Sequence, residues 1–158
     1  MKQKEETFKA KVRESYFSRF AYRPSEIDFV VAEPRDDQRQ YYWAEAKRKP
    51  TPVSEMLTQL ILTCRKTYER GDILPPKFLG CFDDERIAFI EFNDLIDLFS
   101  ASDVNWKATP SAVGAPDFAK LRKKVEERMA VSSTLVEFRF DDPGPIYDFI
   151  RANFNESA

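Results

Sequence analysis

Histidine is absent from all 158 residues. That absence removes the side chain that most often serves as a general base near neutral pH, the serine–histidine–aspartate triad, and every zinc site with an imidazole ligand. Any chemistry must then rest on carboxylates, lysine or a hard metal ion. Cysteine is nearly absent too. Cys64 and Cys81 are the only two, and each lies in an apolar stretch, so two buried free thiols in a reducing compartment are expected rather than a disulfide. No apolar run approaches the roughly 18 residues of a membrane span. The opening MKQKEETFKAK lacks the apolar stretch of a signal peptide. The expectation is a soluble, cytoplasmic protein with no membrane partner. A large charge excess is missing as well: the net charge is −2 and the pI near 5.4. That is not the basic footprint of a domain that grips nucleic acid alone, so any such contact must be local or assisted. Repeats and low-complexity tracts are also lacking, and both signs of charge are interspersed as on an ordinary solvated surface.

Apolar residues, by contrast, are plentiful, at 42% of the chain with 14 phenylalanines. A chain of this length fits one domain and buries roughly 68–70% of its unfolded surface. Phe8, Val12, Tyr16 and Phe20 recur at helical spacing, predicting a helix from about Glu5 to Phe20 that ends before Pro24. Ile27 to Ala32 and Tyr41 to Lys47 read as strands closed into a hairpin, its tip at Asp36-Asp37-Gln38. Thr51 resembles an N-cap with Pro52 at the first helical position, and Val53, Met56, Leu57, Leu60, Ile61, Cys64 and Tyr68 mark one face of a helix stopping near Gly71. Lys77 to Phe82 and Arg86 to Phe92 predict a second strand pair around the turn Asp83-Asp84-Glu85. Leu95, Ile96, Leu98 and Phe99 suggest a short helix. Residues 100–116, rich in Ser, Ala and Pro, suggest a long surface loop. A further helix through Phe118, Leu121, Val125 and Met129, a strand at Val136, Phe138 and Phe140, and a helix opening at Asp142-Pro143 complete the chain.

Alternation puts Tyr41, Trp43, Glu45 and Lys47 on one strand face. A hairpin turning symmetrically about Asp36-Asp37 pairs Arg35 with Gln38 and, counted back, sets Asp28 opposite Glu45. Directly opposed residues have Cβ atoms roughly 4.5–5.5 Å apart. Two carboxylates so close, among Ile27, Phe29, Ala44 and Ala46, repel each other unless a cation holds them. All-oxygen ligation suits Mg²⁺, with Mn²⁺ a substitute, and leaves positions for water and phosphate oxygens. Lys47 is then placed to orient or deprotonate a water and to balance charge on phosphorus. The plain alternative is a set of exposed cross-strand ion pairs. The strand context, the hairpin and the helix that follows favour the site.

At these residues the chain resembles the PD-(D/E)XK nuclease superfamily, with Asp28 in SEIDF as the first acid and Glu45-Ala46-Lys47 in WAEAKR as the E-x-K. The segments ETFKAKVRESYF, YYWAEAKRKP, MLTQLILTCRK and LPPKFLGCFDDERIAFI resemble the N-terminal cleavage domain of bacterial type II polypeptides that fuse restriction and modification. The resemblance spans roughly the first 100 residues. It implies a restriction-endonuclease-like α/β fold, a central mixed sheet flanked by helices. It implies Mg²⁺ held by Asp28, Glu45 and the Ala46 carbonyl, Lys47 assisting an attacking water, and 5′-phosphate and 3′-hydroxyl ends on DNA. Gln59 matches a helix glutamine often near such sites, as a possible accessory residue. Ile27 stands where the nominal motif has proline, which holds no ligand. A first-helix acid sometimes joins such sites, and nothing in the sequence selects Glu5 or Glu6.

The expected organisation is a nuclease core at 1–100 and a helix–strand–helix extension at 101–158 packing on the same domain. The expected function is a Mg²⁺-dependent DNA endonuclease module, with a methyltransferase and a target-recognition region as partners on a longer polypeptide. The alternative is a catalytically silent copy of the fold that binds DNA or docks a protein. Arg48 and Lys49 are possible phosphate contacts, for which a solvated strand end is an equally good account. Lys120, Arg122, Lys123 and Lys124 read better as an ordinary helix face than as a DNA track, and Asp83-Asp84-Glu85 better as a turn than as a cation site. Tyr41, Tyr42 and Trp43 read better as core than as base-stacking residues.

Overall fold

A computed structural model of the chain describes residues 2–21, 26–70 and 75–155, with backbone alone for 2–5, 36–38 and 66–70. Five strands, β1 (Phe29–Glu33), β2 (Asp36–Ala46), β3 (Phe78–Phe82), β4 (Arg86–Glu91) and β5 (Val136–Arg139), lie side by side in that order. Neighbours are antiparallel except β2 and β3. Parallel pairing requires a crossover, and helix α2 (Val53–Arg70) supplies it between those two strands. Helices α1 (Lys2–Tyr16), α3 (Pro116–Val131) and α4 (Gly144–Asn153) complete an α/β fold, a mixed sheet flanked by helices. Among the described residues no helix is long and apolar enough to cross a membrane.

The period-two alternation of the strands sorts the core into two layers of different chemistry. Trp43, Leu79, Cys81 and Ile90 face α2 and α3, where Met56, Leu57, Leu60 and Ile61 make the layer mainly aliphatic. Tyr42, Phe78, Phe82 and Phe89 face α1 and α4 in a layer dominated by rings. Phe154, just past α4, stacks on Tyr41 and Phe78 with centroids 5.5 and 5.7 Å away. Both cysteines are buried and free, and burial pushes each thiol upward, so neither is a thiolate at neutral pH.

Several elements differ from expectation, each for a packing reason. The first helix ends at Tyr16 rather than Phe20, because Phe17 and Phe20 turn into the aromatic layer, where Phe20 meets Tyr41 edge-on at 5.4 Å. The short helix at 95–99 is a pair of 3₁₀ turns, Phe92–Asp94 and Ile96–Ser100. Residues 101–115 do form a loop without helix or strand. Trp106 pins it, donating to the Ala101 carbonyl at 3.1 Å and lying under Arg65. Pro24 and Gly71, expected near helix ends, and the side chains of Glu5 and Tyr68 lie outside the described residues.

The first hairpin corrects the sequence reading most. It turns at Pro34-Arg35, with Glu33 opposite Asp36, so Asp36 and Asp37 belong to β2 rather than to the tip. Proline fixes φ near −65°, the sign of type I and II turns, whose twist splays flanking strands. The ladder absorbs the misfit as two irregularities, between Val31 and Ala32 and between Ala32 and Glu33. Tyr41 is the unpaired residue of the inner one, since Val31 pairs with Tyr42 and Ala32 with Gln40. It therefore joins the aromatic layer with Tyr42 instead of sharing a face with Trp43. Beyond the bulge the ladder returns to regular pairing, Val30 with Trp43 and Phe29 with Ala44.

Gly80 of β3 is required by a close approach. The Tyr42 ring crosses over it so that its hydroxyl donates to the Ala88 carbonyl on β4 at 2.9 Å. A Cβ at position 80 would lie 2.0 Å from that carbonyl oxygen and 2.7 Å from the ring. Gly80→Ala is expected to lower stability by about 3 kcal/mol or more through overpacking, read as a fall in the urea midpoint at unchanged slope.

Candidate active site

The regular end of the hairpin ladder sets the acids. Phe29 opposes Ala44, and one further step puts Asp28 opposite Glu45. Asp28 lies just before β1, and its Oδ2 accepts from the Ala46 amide at 3.3 Å, taking the place of a ladder partner. A residue's N–H and C=O point to the same side of an extended strand, so the Ala46 carbonyl faces Asp28 as well. Glu45 lies two residues from Trp43 and so on the α2 side of the sheet. Its carboxylate is 3.7 Å from Lys47 Nζ, with the two side chains 12% and 33% exposed. The structure thus brings Asp28, Glu45 and Lys47 together.

Glu45 is electrostatically uncomfortable. Burial, then the neighbouring Asp28 charge and a hydrogen bond to Asp28, push its carboxyl up to about 8, against a smaller opposing pull from Lys47. The protonated form of Glu45 is thereby favoured near neutral pH, whereas a nearby divalent ion would favour the ionised form. Two carboxylates and a backbone carbonyl make an all-oxygen donor set that suits Mg²⁺, an ion that keeps several waters. Among the described residues no group of three or more acidic, histidine or cysteine ligands occurs, so the remaining positions would fall to water or substrate.

A cavity of about 650 Å³ is lined by Lys47 and, among others, by Arg48, Lys49, Glu55 and Gln59. Gln59, 4% exposed on α2, has a carbonyl oxygen with no hydrogen-bond partner among the described residues. Arg48 and Lys49 are exposed. Glu55 was not anticipated, although its position one helical turn before Gln59 on the same face signalled it. Arg122 fixes Glu55 from α3 at 3.5 Å and also donates to the Ser54 hydroxyl at 3.0 Å. With Lys124 paired to Asp103 at 2.9 Å, these two α3 cations bind protein carboxylates. Glu6 pairs with Lys9 at 2.9 Å. Tyr41, Tyr42 and Trp43 are buried in the core.

Asp83 does more than turn the second hairpin. Fully buried, it accepts from the Glu85 and Arg86 amides at 2.8 and 3.0 Å through Oδ1, and from the Thr51 amide at 3.0 Å through Oδ2. It thereby ties the segment after Lys47 to the β3–β4 turn. Thr51, so held, bonds its hydroxyl to the Lys49 carbonyl at 2.8 Å and does not cap α2. Pro52 precedes the helix, and its carbonyl accepts from Glu55 and Met56. Asp83→Ala would strand three donors and is expected to cost about 2–4 kcal/mol, measured by urea unfolding.

No family model, curated protein or solved structure matches this chain significantly.

Proposed function

We propose that the chain is a Mg²⁺-dependent DNA endonuclease module of the PD-(D/E)XK type, the cleavage part of a type II restriction-modification polypeptide. One observation carries this reading: two neighbouring carboxylates, Asp28 just before β1 and Glu45 on β2, lie together with the Lys47 ammonium 3.7 Å from Glu45. The order α1-β1-β2-α2-β3, with a parallel crossover directly after the E-x-K strand, supports it. Asp28, Glu45 and the Ala46 carbonyl would hold the metal, which when bound supplies Lewis-acid stabilisation of charge on the phosphate. Lys47 holds and orients the attacking water from the cavity side. As the water oxygen bonds to phosphorus, the P–O3′ bond breaks and the 3′ oxygen takes up a proton, leaving 5′-phosphate and 3′-hydroxyl ends. Arg48 and Lys49 flank the site as phosphate contacts. The acidic net charge accords with a division of labour in which sequence recognition and methylation are supplied by partner regions.

Supercoiled plasmid incubated with the chain and Mg²⁺ is expected to be nicked or linearised, and chelation is expected to stop it. Among the described residues no group of three or more acidic, histidine or cysteine ligands occurs, which favours a second reading, a silent DNA-binding or protein-docking copy of the fold. Calorimetric titration with Mn²⁺ separates the two, since a silent module takes up no ion that depends on Asp28 and Glu45.

A further inference from the structure

We propose that the loop of residues 101–115 is a substrate-binding loop that holds the phosphate backbone of duplex DNA beside the Lys47–Lys49 segment, an inference that rests on the nuclease reading. Connections longer than about 12–15 residues without helix or strand are uncommon in compact domains and usually serve binding. This one is firmly anchored. Val104 is buried, and Val113 packs on the aliphatic layer. Trp106 stacks on Phe99 with the ring planes 4° apart, and Asn105 donates to the Asp117 carboxylate at 2.9 Å. Backbone bonds from Ala108 to Asn105, Ala112 to Thr109 and Ala115 to Ala112 close three successive turns. Groups presented on a loop held in this way lose little freedom when a ligand arrives.

Position and charge identify the occupant. Ser111 and Val113 line the same cavity as Lys47, Arg48 and Lys49, so the loop borders the segment that carries the catalytic lysine. Lys47 is offset by Glu45, and Glu55 by Arg122. Arg48 and Lys49 then stand against Asp84 among the charged lining, which leaves one positive charge in excess. The loop adds to that excess: residues 104–116, VNWKATPSAVGAP, hold Lys107 and no acid, in a chain with 27 acidic residues. Lys107 and Ser111 are exposed, and neither side chain has a partner among the described residues.

An ammonium and a hydroxyl with no acid between them suit phosphate oxygens, contacts that fix a duplex in place without reading its sequence. The cavity between the loop and the cationic segment is open to solvent on one side. A paired strand can lie along such a cleft, whereas a closed pocket would require a base to leave the stack. The loop would thus supply sequence-independent grip next to the bond to be cut, which accords with recognition by partner regions.

Binding is measured by fluorescence anisotropy of a labelled twenty-base-pair duplex with the full chain in EDTA, where metal-dependent cleavage is off. Lys107→Ala should reduce the steepness of log K against log salt by about 0.9, the share of one phosphate contact. Ser111→Glu should weaken binding at least about tenfold in roughly 0.1 M salt, by setting a like charge against the backbone. Ser133→Glu, equal in net charge, should change it less than about twofold. Ser133 is exposed beyond the far end of the sixteen-residue α3, about 24 Å from the loop at 1.5 Å per residue and outside the roughly 10 Å Debye length. All three positions are exposed, so the variants should melt with the natural chain. An unchanged salt dependence for Lys107→Ala, equal affinities of the two glutamate variants, or no duplex binding by the natural chain overturns the proposal. Plasmid cleavage in Mg²⁺ reports separately on the nuclease reading: cutting with loop variants that bind like the natural chain sinks the loop alone, and loop-dependent binding without cutting sinks the nuclease alone.

Discussion

Lys47→Ala is expected to reduce plasmid cleavage by roughly 10²–10⁴, the range for losing a positioned proton-handling group, while Mn²⁺ still binds with little change in affinity. Lys47 contributes no metal ligand. It sits 3.7 Å from Glu45 and lines the cavity, where under the proposed mechanism it would meet the attacking water and the phosphate. Removing the amine also removes the charge that partly offsets the Glu45–Asp28 repulsion, so metal-free protein should become slightly less stable and should gain more on adding the ion. Lys47→Arg would keep the charge but replace a compact ammonium by a planar fork, and only partial rescue is expected. Undiminished cutting by Lys47→Ala would remove the lysine from the mechanism.

The second large effect concerns pH. The Glu45 carboxyl stands at about 8 in the folded chain against an ordinary 4.5, chiefly through burial and the nearby Asp28. A carboxyl raised by folding binds its proton more tightly in the native state, so the native state is favoured at low pH and loses that advantage as pH climbs. Metal-free protein should therefore lose stability between pH about 4.5 and about 8, by a few kcal/mol in total, and level off above. Glu45→Gln abolishes that ionisation. Its melting temperature in EDTA should vary less over the same interval and should exceed that of the natural chain at pH 8. The same variant should fail to be stabilised by Mn²⁺, whereas the natural chain gains about 2.7 kcal/mol at a hundredfold excess over Kd. Parallel melting curves for the two proteins across pH would mean that Glu45 is not strained by its surroundings.

Much of this geometry was legible because strand periodicity and cross-strand opposition are local rules. Asp28 and Glu45 were placed opposite each other by counting from a turn that turned out to be misplaced. The count survived because the extra residues of β2 all fall between Asp36 and Tyr42, so errors at the turn and in the bulge cancel at the site end. The same bulge was invisible in the sequence, and with it the transfer of Tyr41 to the aromatic layer, since only tertiary packing distinguishes two adjacent tyrosines of equal strand propensity. The helix through Val53 to Cys64 was legible from its period, but its start was not. Thr51 has the chemistry of a cap, and what diverts it is a bond from Asp83, 32 residues away. Long-range pairings of that kind leave no mark on a linear pattern. Gln59 was singled out by resemblance, whereas its unsatisfied oxygen and the wall of residues 111 and 113 facing it emerge only from the folded chain.

The doubly bulged hairpin has a mechanical corollary. Its outer portion, from the proline turn to Tyr41, acts as an expansion joint: lengthening or trimming the loop changes how much slack is stored there, while the distance between the two acids is fixed by the regular rungs at Val30 and Phe29. A peptide tag or a recognition segment inserted at residues 34–35 should accordingly ride on the molecule without altering ion uptake at the opposite end of the ribbon.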